Sequence, residues 1–332
     1  MRGPVRSLED LIDEQREKVH TEYDAIFSWK YEPENEKLAR LYEKAKTAQW
    51  NAATDIDWSI EVDPTSVDGN LAQAALLAAP DSPFKGISKE MVEELAVETQ
   101  AWTVSQFLHG EQGALLACAK IVDSVPFEEA KLYGATQVID EARHVEVFNR
   151  YLTDKLGRSY PINPNLKALL VDLISDSRWD ITYLGMQVMV ESLALAAFGF
   201  IHQTTNEPLL REITKRVMAD EARHVAFGII SLEGLYDDMP QSELADREEF
   251  VCQAAELMRN RLVMREVFEK MGLDGDAAEE FIRNHPIQKE FTKQLFSKLV
   301  PNVKRIGLLT PRVREAFDKL GVLGFENLPA TA

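Results

Sequence analysis

Apolar residues along this chain recur at intervals of three and four almost throughout, the spacing of one helix face, and no run alternates apolar with polar between hairpin turns. The expected fold is all-α. Near the N-terminus Leu8, Leu11, Ile12, Val19, Tyr23, Ile26 and Phe27 form a one-sided stripe, and a second helix is expected over 34–49. Residues 51–69 are rich in turn formers and read as an irregular connection. A short helix reaching about Leu77 precedes a break at 80–86. Four long helices follow, over 88–123, 127–156, 176–205 and 209–235, separated by Pro126, by the stretch from Gly157 to Pro164, and by Pro208. Long helices with mostly short joints predict a four-helix bundle. After Pro240 two or three more helices, one interrupted at Pro286, are expected to pack around it. Residues 1–86 are thus a helical extension, 87–237 the bundle, and 238–332 further helices of the same globular unit.

The 332 residues are 45% hydrophobic, enough to bury a large core without a disulfide scaffold. Cys118 and Cys252 lack the CxxC spacing of zinc ribbons or iron–sulfur ligation, which fits a reducing cytoplasm. The N-terminus mixes charged and apolar residues where a secretory signal needs an unbroken apolar stretch, so no export is expected. A net charge of −18 argues against a nucleic-acid partner, because phosphate-backbone affinity rests on clustered basic surface. The run 181–201 is long enough to span a bilayer, yet it contains Gln187 and Glu191 and lacks basic flanks. It reads as a buried helix, with no membrane span.

One hexapeptide occurs twice: residues 140–145 and 220–225 both read DEARHV. Two upstream glutamates, Glu111 and Glu191, keep the same offset of 80, so two helix pairs carry matching marks. On a helix, residues three apart share a face, and Glu141 with His144, like Glu221 with His224, can address one point. A lone copy of this spacing is weak evidence, and Glu17 with His20, on a highly charged stretch, reads as surface. Glu111 and Glu191 instead stand among apolar side chains, where an ionised carboxylate is costly unless a cation pairs with it. A protonated glutamate, or one paired with a distant arginine, is the alternative.

Four glutamates balance two divalent cations if both histidines are neutral, whereas one cation would leave excess negative charge. Mixed oxygen and imidazole donors suit iron or manganese better than zinc. Two Fe ions, or a Mn/Fe pair, with open coordination positions can reduce O2. Asp140 and Asp220 lie one turn before the histidines and can accept their second ring N–H, within a helix or across the pair. Arg143 and Arg223 can neutralise those aspartates, solvated surface charge being the plain alternative.

At these residues the sequence resembles the ferritin-like di-iron carboxylate superfamily, over about half the chain. The resemblance implies a ferritin-like four-helix bundle with additional N- and C-terminal helices. It also implies an O2-activating non-haem di-iron oxygenase or oxidase whose catalytic and metal set is Glu111, Glu141, His144, Glu191, Glu221 and His224. The DEARH wording is most similar to the oxygenase branches. Phe148 stands where ribonucleotide reductase small subunits usually carry a tyrosine, Ala194 and Leu195 where monooxygenases and desaturases place a threonine, and Val217 where arylamine N-oxygenases add a third histidine. These departures leave the subfamily open. A radical-generating oxidase like the reductase subunit, or a non-catalytic ferroxidase, is the rival reading.

The expected substrate is an apolar organic or acyl molecule, hydroxylated, desaturated or N-oxygenated. Since no flavin or NAD motif is present, a separate reductase or ferredoxin is expected to supply electrons, and the expected assembly is a homodimer. Phe107, Phe148, Phe198 and Phe227, one or two turns from the ligands, are candidates for lining a substrate pocket, with plain core packing as the alternative. Trp50 and the DIDW ending at Trp58 either cover the bundle or bind a partner.

Overall fold

A computed structural model describes residues 16–63, 76–84 and 86–331, and every regular element among them is helical. Helix α1 (Glu36–Thr47) starts at Asn35, whose side chain accepts from the Lys37 and Leu38 amides that the first turn leaves without partners. Helix α2 (Lys89–Ser124) is capped in the same way by Ser88, and α3 (Glu128–Arg150) follows the joint containing Pro126. A π-helical turn (Tyr151–Leu156) extends α3 to Gly157, which ends it in the left-handed conformation at φ 61°.

Helix α4 (Pro164–Ser175) occupies a stretch the sequence pattern had left as a joint. Pro164 starts it under an Asn163 cap, and Leu166, Leu169, Leu170 and Leu173 are buried. Helix α5 (Trp179–Thr204) contains a π-helical segment, Leu184–Val190, immediately before Glu191. It is long and apolar enough to cross a membrane by composition, but 72% of its apolar window is buried within the protein. Helix α6 (Pro208–Leu232) begins with Glu207 accepting from the Leu209 and Leu210 amides.

The bundle consists of α2 packed on α3 and α5 packed on α6, joined where α3 meets α6, with α1 lying over both α3 and α6. Gly228 of α6 makes a close approach possible, since a Cβ there would stand 2.5 Å from Gln187 Cβ on α5. Two apolar clusters fill the bundle. One is built around residues such as Tyr133, Tyr183 and Phe227, the other around Trp102, Phe148 and Phe198.

Two expectations need correction. Residues 16–31, including Val19, Tyr23, Ile26 and Phe27, form no helix. Their polar groups turn to the bundle, the Ile26 amide donating to the Asp123 carbonyl at 2.8 Å and Tyr23 Oη to Asp123 Oδ2 at 3.2 Å. Leu8, Leu11 and Ile12 lie outside the described residues, as does most of the short helix expected before Leu77. The C-terminal part holds more helices than expected, namely α7 (Gln241–Asn260), α8 (Arg265–Lys270), α9 (Gly275–Asn284), α10 (Pro286–Leu295), α11 (Leu299–Arg305) and α12 (Pro311–Lys319). Prolines 286 and 311 each begin a new helix, because a proline inside one would cost a hydrogen bond and clash with the preceding turn.

Candidate metal centre

Glu111 from α2, Glu141 and His144 from α3, Glu191 from α5, and Glu221 and His224 from α6 meet in the bundle interior, all of them buried. Helical spacing aims each Glu-x-x-His pair inward. The π-helical segment before Glu191 adds a residue to the local turn, and such turns recur at functional sites. His144 Nδ1 lies 3.3 Å from oxygens of Glu111, Glu141 and Glu221. His224 Nδ1 lies 3.1 Å from Glu141 Oε1 and 3.7 Å from Glu221 Oε2.

The opposite ring nitrogens are tied across the helix pair. His144 Nε2 donates to Asp220 Oδ2 at 3.1 Å, and His224 Nε2 donates to Asp140 Oδ2 at 3.1 Å. A carboxylate only accepts, so Nε2 carries the proton, and in the neutral ring the Nδ1 lone pair faces the glutamates. Arg143 binds Asp140 and Arg223 binds Asp220. A short segment after α1 completes this outer layer: Gln49 Nε2 donates to Asp140 Oδ1 at 3.1 Å and Trp50 Nε1 to Asp220 Oδ2 at 2.8 Å. Arg143 in turn donates to Gln49 Oε1 at 2.5 Å. Trp50 therefore covers the bundle at this seam, while Trp58 donates to the Ala52 carbonyl at 2.7 Å.

Several neighbours were not singled out from sequence. Gln137 Nε2 donates to Glu141 Oε1 at 3.1 Å and to Glu191 Oε1 at 2.8 Å. Gln187 Nε2 reaches Gln137 Oε1 at 3.4 Å and Cys118 Sγ at 3.6 Å. Gln137 and Gln187 stand one turn before Glu141 and Glu191, so helical spacing alone could have found them. Gln49 carries no such local signal, and Trp50, expected either to cover the bundle or to bind a partner, covers it.

Burial, then the charge of Glu221, holds the Glu111 carboxyl well above its ordinary value. Glu191 is likewise raised, by burial and by its acidic neighbours against the pull of His224. Burial would raise Glu141 too, but the two imidazoles beside it hold it well below the ordinary value. Both histidines are raised, because the surrounding carboxylates outweigh the desolvation that favours the neutral ring. Without a cation, the cluster therefore takes up protons to offset its own charge.

Glu141 Oε2, Glu191 Oε2 and both Glu221 oxygens are buried with no hydrogen-bond partner, and His224 Nδ1 faces only carboxylate oxygens. Orphaned lone pairs converging on one space fit bound cations. Donor atoms of Glu111, Glu141, His144 and Glu221 lie within 4.8 Å of one another, as do those of Glu191, Glu221 and His224. Cys118, Glu141 and Glu191 form a third such group, and the two that contain histidine share Glu221, as the donor set of a metal pair requires.

The four phenylalanines separate. Phe107 rings lie 5.7 Å from Phe148 and 4.7 Å from Phe198, on the side of the centre toward the α2 N-terminus. Phe227 lies on the other side, 4.3 Å from Tyr133 and 4.9 Å from Tyr183. Phe107 lines a cavity between α2, α5 and Leu295, whereas Phe148, Phe198 and Phe227 are fully buried in close-packed surroundings. His20 is exposed beside Glu22 at 3.1 Å, and Glu17 pairs with Lys167 at 2.7 Å, far from the cluster.

Among solved structures, a variant of an R2-like ligand-binding oxidase with anaerobically reconstituted Mn/Fe cofactor is 18% identical, covering 83% of this chain and 93% of that one with a TM-score of 0.47. A second such variant is 18% identical over 84% and 92% of the two chains, TM-score 0.45. An aerobically reconstituted variant is 16% identical over 89% and 94%, TM-score 0.42. No curated protein matches the chain. The family described as P-aminobenzoate N-oxygenase AurF matches residues 32–307, and the chain, carrying a buried carboxylate and histidine cluster in an all-helical bundle, belongs to that family of O2-activating di-iron oxygenases.

Proposed function

We propose that Glu111, Glu141, His144, Glu191, Glu221 and His224 hold two metal ions, Fe/Fe or Mn/Fe, and that the chain uses them with O2 to oxidise an apolar organic molecule. The observation carrying this reading is the set of buried, converging glutamate oxygens that lack hydrogen-bond partners, with the Nδ1 atoms of His144 and His224 turned toward them. A reduced metal pair held by these six residues would supply the electrons for O2 reduction and the oxidising capacity applied to the substrate. The protein residues do the rest. Asp140 and Asp220 fix the tautomer and tilt of the two rings from across the helix pair. Gln137 ties Glu141 to Glu191, and the Phe107, Phe148 and Phe198 cluster keeps water from one side of the centre.

N-oxygenation of an arylamine is the reaction to test first, because the family is described by that activity on p-aminobenzoate. With Val217 buried in the apolar core, the proposed metal set contains two histidines. Electrons come from a separate reductase or ferredoxin. Cys118 and Cys252 are both free, which suits a reducing cytoplasm. Residues 87–237 carry the centre, with the flanking helices part of the same unit, and the assembly is a homodimer.

Anaerobic titration with Fe(II) is expected to reach two metals per chain, followed by O2 uptake that oxidises an added arylamine. His144→Ala and His224→Ala should lower the stoichiometry, while His20→Ala leaves it unchanged. Metal analysis settling at one or none would sink the proposal.

A further inference from the structure

The outer side of the α2–α3 pair stays open to solvent. On α3 the exposed residues Leu132, Ala135, Ile139 and Ala142 recur at three and four, a straight stripe along the helix. Leu116 and Ala119 continue the exposed apolar face on α2, across the seam where Val122 meets Gly134. Leu116 and Ile139 are 56% and 54% exposed. Lys131, at the edge of the face, turns its ammonium away onto the Val122 and Asp123 carbonyls at 2.8 and 3.1 Å. On a chain of net charge −18 an exposed helix face is expected to be charged, and α1 follows that rule with Glu36, Arg40, Glu43 and Lys44.

Side-chain size along the α3 stripe runs large, small, large, small. When a second α3 crosses it antiparallel about a two-fold axis at residue 137, Leu132 faces Ala142 of the other copy and Ala135 faces Ile139, so each large side chain meets a small one. At the Leu132 end, residues 26–35 cross the α2–α3 joint, the Ile26 amide donating to the Asp123 carbonyl at 2.8 Å and the Asn35 amide to Glu129 Oε1 at 2.9 Å. That segment carries Phe27, Trp29 and Tyr31, each more than two-thirds exposed, with the Phe27 and Trp29 rings stacked at 5.2 Å. Three aromatic side chains held in water beside an apolar helix face mark a surface that another molecule covers.

We propose that this face joins two copies of the chain, α3 packed antiparallel on α3 of the second copy, with the aromatic segment of each copy lying over the other. The assignment rests on the homodimer reading above and gives that dimer its interface. Two strongly acidic chains repel wherever their charge is exposed, so an uncharged, self-complementary face is where two copies approach at least cost. Two helices side by side over this length present a footprint of about 20 by 20 Å, about 400 Å². Aromatic side chains that each bury about 150–250 Å² bring the total near the about 800 Å² per partner of a standard interface.

The test is analytical ultracentrifugation of the full chain, metal-free and metal-loaded, over about a thousandfold range of concentration. The wild type is expected to be a dimer. Ile139→Glu, which by symmetry sets two charges in the interface, should weaken the dimer about 100-fold or more without changing helical content. A swap of sizes tests the register. Ala135→Leu alone sets a leucine against Ile139 and Ile139→Ala alone leaves a gap, each weakening association about tenfold or more, whereas the two together restore large on small and should recover most of the loss. Trp29→Ser should weaken the dimer about tenfold.

A double variant no better than the weaker single one would overturn the proposed packing. A wild type that stays monomeric throughout would overturn the homodimer reading and the interface together, leaving the face to a bilayer or an unrelated protein. A wild-type dimer that Ile139→Glu, Leu116→Glu and Trp29→Ser all leave intact would overturn the interface alone. Should Ile139→Glu fail to fold, the size swap, which adds no charge, decides.

Discussion

Replacing Glu191 with leucine separates a metal ligand from a buried structural acid. One Glu191 oxygen accepts from Gln137 at 2.8 Å and the other has no partner, so the carboxyl is only half satisfied. Removing an unsatisfied buried polar group relieves about 1–3 kcal/mol. Gln137 keeps a second acceptor, Glu141, at 3.1 Å, which limits the loss on its side. The metal-free variant should therefore be at least as stable as wild type. For 332 residues an unfolding entropy of about 2.1 cal/mol/K per residue gives about 0.7 kcal/mol/K. The gain then reads as about 1–4 °C in Tm.

Adding metal favours the wild type. Fe(II) or Mn(II) at 100 times the wild-type Kd stabilises the folded chain by about 2.7 kcal/mol per site, or about 4 °C. A tenfold weaker site at the same concentration contributes about 1.4 kcal/mol, or about 2 °C. Scanning calorimetry of both proteins with and without metal reads the difference directly. Equal metal-induced shifts would remove Glu191 from the centre and refute the reasoning. A higher metal-free Tm combined with a smaller metal shift is the expected result.

Three further outcomes follow from the geometry. Metal-free protein should lose stability as pH rises above the ordinary values of 4.5 for Glu111 and Glu191 and 6.5 for His144 and His224, because all four are raised and the folded state therefore binds more protons than the unfolded one; the lowered Glu141 acts only below 4.5, and a Tm that does not fall with rising pH after chelation would contradict the burial argument. Gly228→Ala should cost about 1–3 kcal/mol in denaturant unfolding, since its Cβ meets Gln187 Cβ at 2.5 Å, whereas Gly110→Ala, in open helix surface, should gain up to about 1 kcal/mol. Trp50→Phe removes the 2.8 Å donor to Asp220 and should weaken Fe(II) about tenfold in chelator competition, unchanged affinity showing that Asp220 orients His144 unaided.

The six converging side chains were legible because each signal is local. A histidine three residues after a glutamate, or a single carboxylate in an apolar helix, reports its environment through spacing that the helix enforces. The bundle helices were legible for the same reason, their breaks falling at prolines. Helix α4 was missed although Leu166, Leu169, Leu170 and Leu173 keep helical spacing, because the preceding Gly157 to Pro164 stretch looked like the whole joint. The stripe from Val19 to Phe27 misled in the opposite direction, as Ile26 and Tyr23 bond to Asp123 at the end of α2 and not within a helix of their own. Gln49 and Trp50 were illegible as functional residues because they reach Asp140 and Asp220 across sequence separations of 91 and 170. The phenylalanines divide on the same principle: their distance from a ligand along the helix was visible, but whether they faced a cavity or a neighbour's ring was not.

The duplicated hexapeptide does not make two equivalent half-sites. Each copy supplies the aspartate that orients the other copy's histidine, so neither helix pair can set its own imidazole, and the centre exists only where α3 and α6 pack. That mutual dependence makes the α3–α6 contact, closed by α1 and the Gln49–Trp50 segment, the element that positions the ligands. The surroundings then break the symmetry. On one side Gln137, Gln187 and Cys118 surround Glu191 with amides and a thiol, and Gly228 lets α6 close tightly against α5. On the other, the packing is aromatic and leads past Phe107 to the cavity it lines. A near-symmetric set of proposed ligands in an asymmetric shell would give two bound metals different neighbours, the arrangement expected when an organic molecule approaches from one side only.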